Sequence, residues 1–272
     1  MIPAPFEYAR ASSIDEAISL LSSREDSKLL AGGHSLIPAM KLRVARPAIL
    51  IDIGRLSDLS YVREDGDAVA IGALTRHHDV ANSDALHELS PIVSYAAGQI
   101  GDPQVRHMGT IGGSVAHGDP AGDMPTVLLA LDATFVATGS SGSRQIAAKD
   151  FFTSLFETAL EPNEVLTEIR VPKTAGRGWS FIKFNRRAQD WAIVGVAALN
   201  GSAPAIALTN MGLTPLRATA VEQALAGGAD AASAAVSAAE GTAPPDDAFA
   251  SAEYRRELAK VLVRRAIEQS TS

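Results

Sequence analysis

Two short glycine pairs decide how this chain reads: Ala31-Gly32-Gly33-His34-Ser35 and Thr110-Ile111-Gly112-Gly113-Ser114. The first follows a strand-like run, Lys28 to Ala31, and leads into Leu36 to Leu42, which has the pattern of a short helix. The second follows a loop. Glycine admits positive φ and lets backbone approach a ligand, so consecutive N–H groups can converge on phosphate oxygens. Two such turns facing one another suit a pyrophosphate, and a helix start after the first adds its dipole. Taken singly, a Gly-Gly after a strand is more often just a tight turn. Neither pair is a GxGxxG fingerprint, and no GxxxxGK phosphate loop is present, so a nicotinamide-binding doubly wound domain is not indicated.

Outward from the first turn, a strand is expected at Phe6 to Ala9, then a helix capped by Ser13 with Ile14, Ala17, Ile18 and Leu21 at helical spacing. A strand at Ala48 to Ile53 completes a small α/β unit. Strand-like runs follow at Leu59 to Arg63 and Ala68 to Ile71, joined by a turn at Asp65 to Asp67. Thr75 is placed to cap a short helix, and Leu86 to Ile100 reads as one helix. Gly101 to Gly122 is a glycine-rich segment. A helix at Asp123 to Leu131 and strands at Ala133 to Thr138 and Glu164 to Val171 come next. The polar stretch Lys173 to Gly178 marks a boundary. Strands are expected at Trp179 to Asn185, Ala192 to Leu199 and Ala205 to Thr209, then alanine-rich helices. In the last, from about Ser251, Tyr254, Leu258, Val261 and Leu262 fall on one face and Arg255, Arg256, Lys260 and Arg264 largely elsewhere.

The 272 residues allow about two domains at roughly 150 residues each. With 46% hydrophobic and 20% charged residues, the composition is that of a soluble globular protein. The net charge of -7 disfavours a general grip on nucleic acid or anionic lipid. No stretch has the length of a membrane span, and MIPAPFEYAR lacks a basic region followed by an apolar one, so a cytoplasmic location is expected. Cysteine is absent, which removes thiol nucleophiles and cysteine-ligated zinc or iron–sulfur centres from this chain. The six histidines show no HExxH spacing, and no metal site is assigned.

The strings AGGHSLIPAMKLR at 31 to 43 and TIGGSVAHGDPAGDMP at 110 to 125 resemble the two FAD-binding motifs of medium subunits of bacterial molybdenum hydroxylases, the carbon monoxide dehydrogenase and xanthine dehydrogenase family. EVLTEIRVP at 164 to 172, FIKFNRRAQDWAIVGVAA at 181 to 198 and ALTNMGLTPLRA at 207 to 218 carry the likeness to the far end. The resemblance implies an α+β fold: a two-lobed vanillyl-alcohol-oxidase-type (PCMH-type) FAD-binding domain over 1–176, with lobes of about 1–55 and 56–176. A smaller α+β domain of the carbon monoxide dehydrogenase flavoprotein C-terminal type then covers 177–272. It implies a cofactor site built from Leu29, Leu30, Ala31, Gly32, Gly33, His34, Ser35 and Leu36, and from Thr110, Ile111, Gly112, Gly113 and Ser114. Ile100 is implied near the flavin, Asp123 on a polar group of FAD, and Leu166 and Lys183 near the isoalloxazine. The second motif of the family often ends in Asn, where this chain has Ser114.

From its position Asp123 reads as a helix N-cap; the resemblance adds a carboxylate accepting from FAD hydroxyls, and both roles are compatible. Lys183 reads as a solvated strand lysine or, near the flavin, as a cation favouring the anionic reduced state. His117 and Asp119 are expected to shape their loop, and Arg186-Arg187 to be solvated or to dock an acidic partner. The implied function is electron transfer through FAD, from iron–sulfur clusters of a small subunit, beside a large molybdenum-cofactor subunit, to an external acceptor, in a dimer of heterotrimers. No catalytic acid, base or nucleophile is assigned. A self-sufficient flavin oxidase or reductase of the same fold is the alternative, and it needs acid–base residues of its own above the flavin.

Overall fold

The computed structural model describes residues 1–271. It opens with β1 (Glu7–Arg10), α1 (Ile14–Ser23), β2 (Ser27–Leu30), α2 (Leu36–Lys41) and β3 (Ile49–Asp52). These strands form a parallel sheet in the order β1-β3-β2. Ser13 starts α1 by accepting from the Glu16 N–H, and Ala17 and Ile18 turn its apolar stripe onto Ile51 and Ile53.

Next come β4 (Val62–Asp65) and β5 (Ala68–Gly72), then six short helices: α3 (His77–Ala81), α4 (Asp84–Leu89), α5 (Pro91–Gly98), α6 (Pro103–Met108), α7 (Ile111–His117) and α8 (Asp123–Ala130). The chain continues through β6 (Thr134–Gly139), β7 (Gly142–Ala147), α9 (Ala148–Phe151), β8 (Phe152–Ser154), β9 (Glu157–Thr158) and β10 (Val165–Pro172). An antiparallel sheet in the order β4-β5-β10-β6-β7 forms the second lobe.

The last part comprises β11 (Trp179–Phe184), β12 (Val194–Leu199), β13 (Ala205–Thr209), β14 (Leu216–Arg217), α10 (Thr219–Ala226), α11 (Ala231–Ala235) and α12 (Ala252–Ser270). Its antiparallel sheet runs β11-β12-β13-β14 and is apolar on both faces. Strand alternation sends Ala197, Leu199, Ala205 and Ala207 into a core shared with α5, α8 and the second-lobe sheet. Val196, Ala198, Ile206 and Leu208 face the other way, onto Leu262, Val263, Ala266 and Ile267 of α12. All eight residues of α8 are buried, which is why its sequence DMPTVLLA carries no polar face. The architecture is α+β, and no helix among the described residues is long and apolar enough to cross a membrane.

Several expectations are corrected. The stretch 86–100 is two helices, because Ser90 leaves the helical region at φ -153, ψ 66 and Pro91 starts a new one. Thr75 caps nothing: Arg76 is the residue before α3, and the Thr75 hydroxyl donates to Tyr61 O and accepts from its N–H. Gly101 to Gly122 contains α6 and α7, and the second glycine pair lies in the first turn of α7. On α12 the buried face carries Arg255, Ala259 and Leu262, while Tyr254 and Val261 are exposed. The Arg255 guanidinium bonds Ile193 O and, at 2.8 Å, Asp247, which lets a cation lie in the core.

Candidate FAD site

The two glycine turns meet. An added Cβ on Gly32 would lie 2.2 Å from Met108 O and 2.9 Å from Gly109 Cα, so the first turn packs backbone to backbone on the segment that enters the second. Gly112 is equally tight against the end of β5, where a Cβ would lie 2.5 Å from Ala73 O. Ala73 is itself held by Thr167 O in the irregular step of β10, next to buried Leu166.

The turns differ in what they offer. Among the described residues, none of the N–H groups of Gly32, Gly33, His34 and Ser35 has an acceptor within the chain. Gly33, at φ +75, supplies the left-handed step that turns the chain from β2 into α2, where Ile37 N–H already bonds Gly33 O. Leu29 and Leu30 end β2, with Leu29 packed in the first-lobe core, and Leu36 begins α2. α2 has only six residues, so successive N–H groups rather than a long helix dipole make this turn an anion cradle.

In the second motif the four N–H groups from Ile111 to Ser114 are taken. Ile111 donates to Thr75 O, Gly112 to Ala73 O, Gly113 to Thr110 Oγ1 at 3.0 Å, and Ser114 to Thr110 O. Thr110 and Ile111 are buried. The glycines of this motif therefore serve close packing, and the donors of Ile111 to Ser114 are spent on the fold.

Positive charge collects where the turns meet, on a chain whose net charge is -7. Arg76 donates to Met108 O, and His77 N–H to Gly109 O. The His77 ring is buried, and burial, then Arg106, Arg76 and His34, lower its pKa to about 4. Arg106 also holds the carbonyls of Ile100 at 2.9 Å and Gly101 at 3.3 Å. Gln99, one residue before Ile100, accepts from Lys183 Nζ at 3.1 Å. The 99–101 segment thus runs between the glycine turns and a second cluster.

That cluster is a buried ion pair, Lys183 Nζ to Asp123 Oδ2 at 2.7 Å, with side chains 7% and 5% exposed. Lys183 is not a solvated strand residue. Lys183, Gly195 and Thr209 are paired in one row across β11, β12 and β13. Thr209 reaches Thr126 Oγ1 at 2.8 Å, three residues along α8 from Asp123. Gly195 leaves the middle of the row low, so the first turn of α8 sits between its two polar ends. Asp123 is not the N-cap, which is Gly122; as the first helical residue its carboxylate reaches Lys183. Its other oxygen, Oδ1, is buried without a partner. Burial pushes the Asp123 pKa up to about 6 against the pull of Lys183. With Oδ2 held on Lys183, the free oxygen is an acceptor for a donor from outside the chain.

The residues fit FAD: adjacent unsatisfied N–H groups beside cations suit its pyrophosphate, and a buried, unpartnered carboxylate oxygen suits a hydroxyl. Residues 4–174 match the model of the FAD binding domain in molybdopterin dehydrogenase, and residues 179–270 that of the CO dehydrogenase flavoprotein C-terminal domain. The chain belongs to the molybdopterin dehydrogenase FAD-binding family. The carbon monoxide dehydrogenase medium chain of Afipia carboxidovorans is 43% identical over 99% of this chain and 98% of its own length. The glyceraldehyde dehydrogenase medium chain of Sulfolobus acidocaldarius is 42% identical over 99% of both. A structure of carbon monoxide dehydrogenase from Hydrogenophaga pseudoflava lacking the Mo-pyranopterin moiety superposes with a TM-score of 0.96 at 44% identity, covering 100% of this chain and 99% of that one. Membership makes this chain an FAD-binding medium subunit of the molybdenum hydroxylase family, part of an oxidoreductase. Sequence reasoning missed Arg76, His77, Arg106 and Gln99, whose roles arise from packing; the signal within reach was the density of His and Arg on both sides of the second motif. Among the described residues no group of three or more His, Asp or Glu is placed to hold a metal.

Proposed function

We propose that this chain is the electron-transfer subunit of a heterotrimeric molybdenum hydroxylase, collecting electrons from iron–sulfur clusters in a small subunit and releasing them to an external acceptor, beside a large subunit that oxidises the substrate. When bound, FAD supplies the exchange between one- and two-electron steps. The observation that carries the reading is a free N–H cradle at Gly32 to Ser35 together with the unpartnered Asp123 oxygen, linked through the 99–101 segment that Arg106 and Lys183 hold.

The chain's own residues bind and orient. Gly32 to Ser35 would hold the pyrophosphate, with Leu29 to Leu36 and Thr110 to Ser114 forming its surroundings and Arg76 and Arg106 balancing its charge. Asp123 would take a cofactor hydroxyl. Lys183, tied to Asp123 and Gln99 O, keeps that carboxylate ionised and aimed; Ile100 and Leu166 would supply apolar contact. The division at 176 is part of the same proposal. Relatives of nearly equal identity are medium chains of dehydrogenases named for different compounds, carbon monoxide and glyceraldehyde, which supports placing substrate choice in another subunit.

The test is purification of the chain at native expression level from its host. Flavin and iron–sulfur absorbance, molybdenum and two further chains are the expected result. Flavin alone, with rapid bleaching by an organic substrate, would instead favour a self-sufficient oxidase or reductase.

A further inference from the structure

Beyond Thr209, the ALTNMGLTPLRA string, singled out by resemblance, has no part in the site described so far. Its Asn210 directly follows Thr209, the end of the row that docks α8. It is a non-glycine residue in the left-handed region, at φ 61. From there it makes two ties to segments distant in sequence. Its N–H donates to Pro120 O at 2.8 Å, in the loop that joins the second glycine motif to Asp123. Its side-chain Nδ2 donates to Ala192 O at 2.9 Å, where the chain between β11 and β12 returns to the sheet. The other bonds of the Pro120 loop are short-range, from Gly118 N–H to Val115 O, Gly122 N–H to Asp119 O and Ala121 N–H to the Asp119 side chain, so the Asn210 bond is its tie to a distant segment. Asparagine tolerates the left-handed region better than other L-residues and carries an amide donor, so one residue type meets both demands.

We infer that Asn210 is a positioning residue for the cofactor site: through Pro120 it sets where α8 begins, and so where Asp123 presents its free oxygen, while through Ala192 it pins the 185–192 loop. This rests on the FAD reading above. The two ties separate by substitution. Asn210→Gly keeps the left-handed backbone and the Pro120 bond and loses only the Ala192 bond; Asn210→Ala strains the backbone and loses the amide as well.

The test uses the full chain with whatever subunits it retains, stripped of flavin and titrated with FAD. Asn210→Ala should weaken FAD binding about tenfold, and Asn210→Gly should restore it to within about twofold of the original. In an Asp123→Asn background the Asn210→Ala loss should shrink to less than about twofold, because the group being positioned is gone. A second readout needs no FAD. The chain has two tryptophans, so in a Trp179→Phe chain Trp191 alone reports the 185–192 loop. Its fluorescence anisotropy should fall in both Asn210→Gly and Asn210→Ala. FAD affinity unchanged in Asn210→Ala, or an equal loss in both Asp123 backgrounds, overturns the positioning role; unchanged Trp191 anisotropy overturns the loop tie. Failure of the original chain to take up FAD at all would overturn the FAD reading instead, and is seen before any variant is made.

Discussion

Gly32→Ala is the sharpest test of how the two turns meet. Gly32 is not in the left-handed region, so alanine brings no backbone strain and the substitution reads packing alone. The new methyl would lie 2.2 Å from Met108 O and 2.9 Å from both Met108 C and Gly109 Cα. All three are backbone atoms, which cannot swing aside as a side chain would. Contacts under 3.0 Å essentially never occur, so the turns must part by about 0.8 Å or more, at a cost near the upper end of overpacking, about 3 kcal/mol. If the cradle gives way and the core does not, that energy is lost from cofactor binding, a weakening of about a hundredfold. The assay is titration of flavin-free chain with FAD, followed by quenching of flavin fluorescence, with far-UV circular dichroism to show an intact fold. Gly227→Ala is the control, since its nearest neighbours stand at 3.4 Å and its φ is -78. FAD affinity in Gly32→Ala within twofold of the original would refute the close backbone contact.

Other expectations concern the wall of the site. Asp123→Asn leaves the Lys183 ammonium buried without its counter-charge and should destabilise the chain by about 3 kcal/mol; adding Lys183→Met should recover much of the melting temperature without recovering FAD, and recovery of both would sink the acceptor role of Asp123. His77 is held neutral by burial, its pKa lowered from 6.5 to about 4. The unfolded chain therefore takes up a proton before the native one does, and stability is lost as pH falls from about 6.5 to about 4, at up to roughly a kcal/mol per pH unit. Asp123, raised from 3.8 to about 6, works in the opposite direction over much of that window, since the native state holds its proton more tightly. On going from pH 7 to pH 5, His77→Leu should gain melting temperature relative to the original chain, and Asp123→Asn should lose more than the original chain does. Thr110→Val removes the buried hydroxyl that caps Gly113 N–H and should lower stability by about 1 to 2 kcal/mol in denaturant titration.

The first turn was legible because local chemistry and tertiary structure agree there: an apolar run, a Gly-Gly step, then a helical pattern give β2, the left-handed Gly33 and α2. The second was legible as a motif but not as a helix. Two glycines in succession cost a helix roughly 1 kcal/mol each, so the pattern argues for a loop. α7 forms because Thr110 caps it and because Gly112 fits against Ala73 where a larger residue would not. The Leu86 to Ile100 error has a simpler cause: apolar spacing continues across a break that Pro91 marks. Resemblance pointed to Asp123 and Lys183 separately, yet nothing local joins residues 60 positions apart, and their pairing follows from sheet register. The burial of Arg255 likewise depends on a carbonyl 62 positions away.

The inner face of the last sheet and the wholly buried α8 have a consequence for how the chain comes apart. A fragment ending near residue 174 would leave α5 and α8 with their apolar side chains in water, and a fragment beginning near 179 would bare Ala197, Leu199, Ala205 and Ala207. Neither piece has a surface suited to life alone. Calorimetry of the intact chain should therefore record one endotherm whose van't Hoff and measured enthalpies agree, and proteases that nick the 173–178 segment should release no stable half.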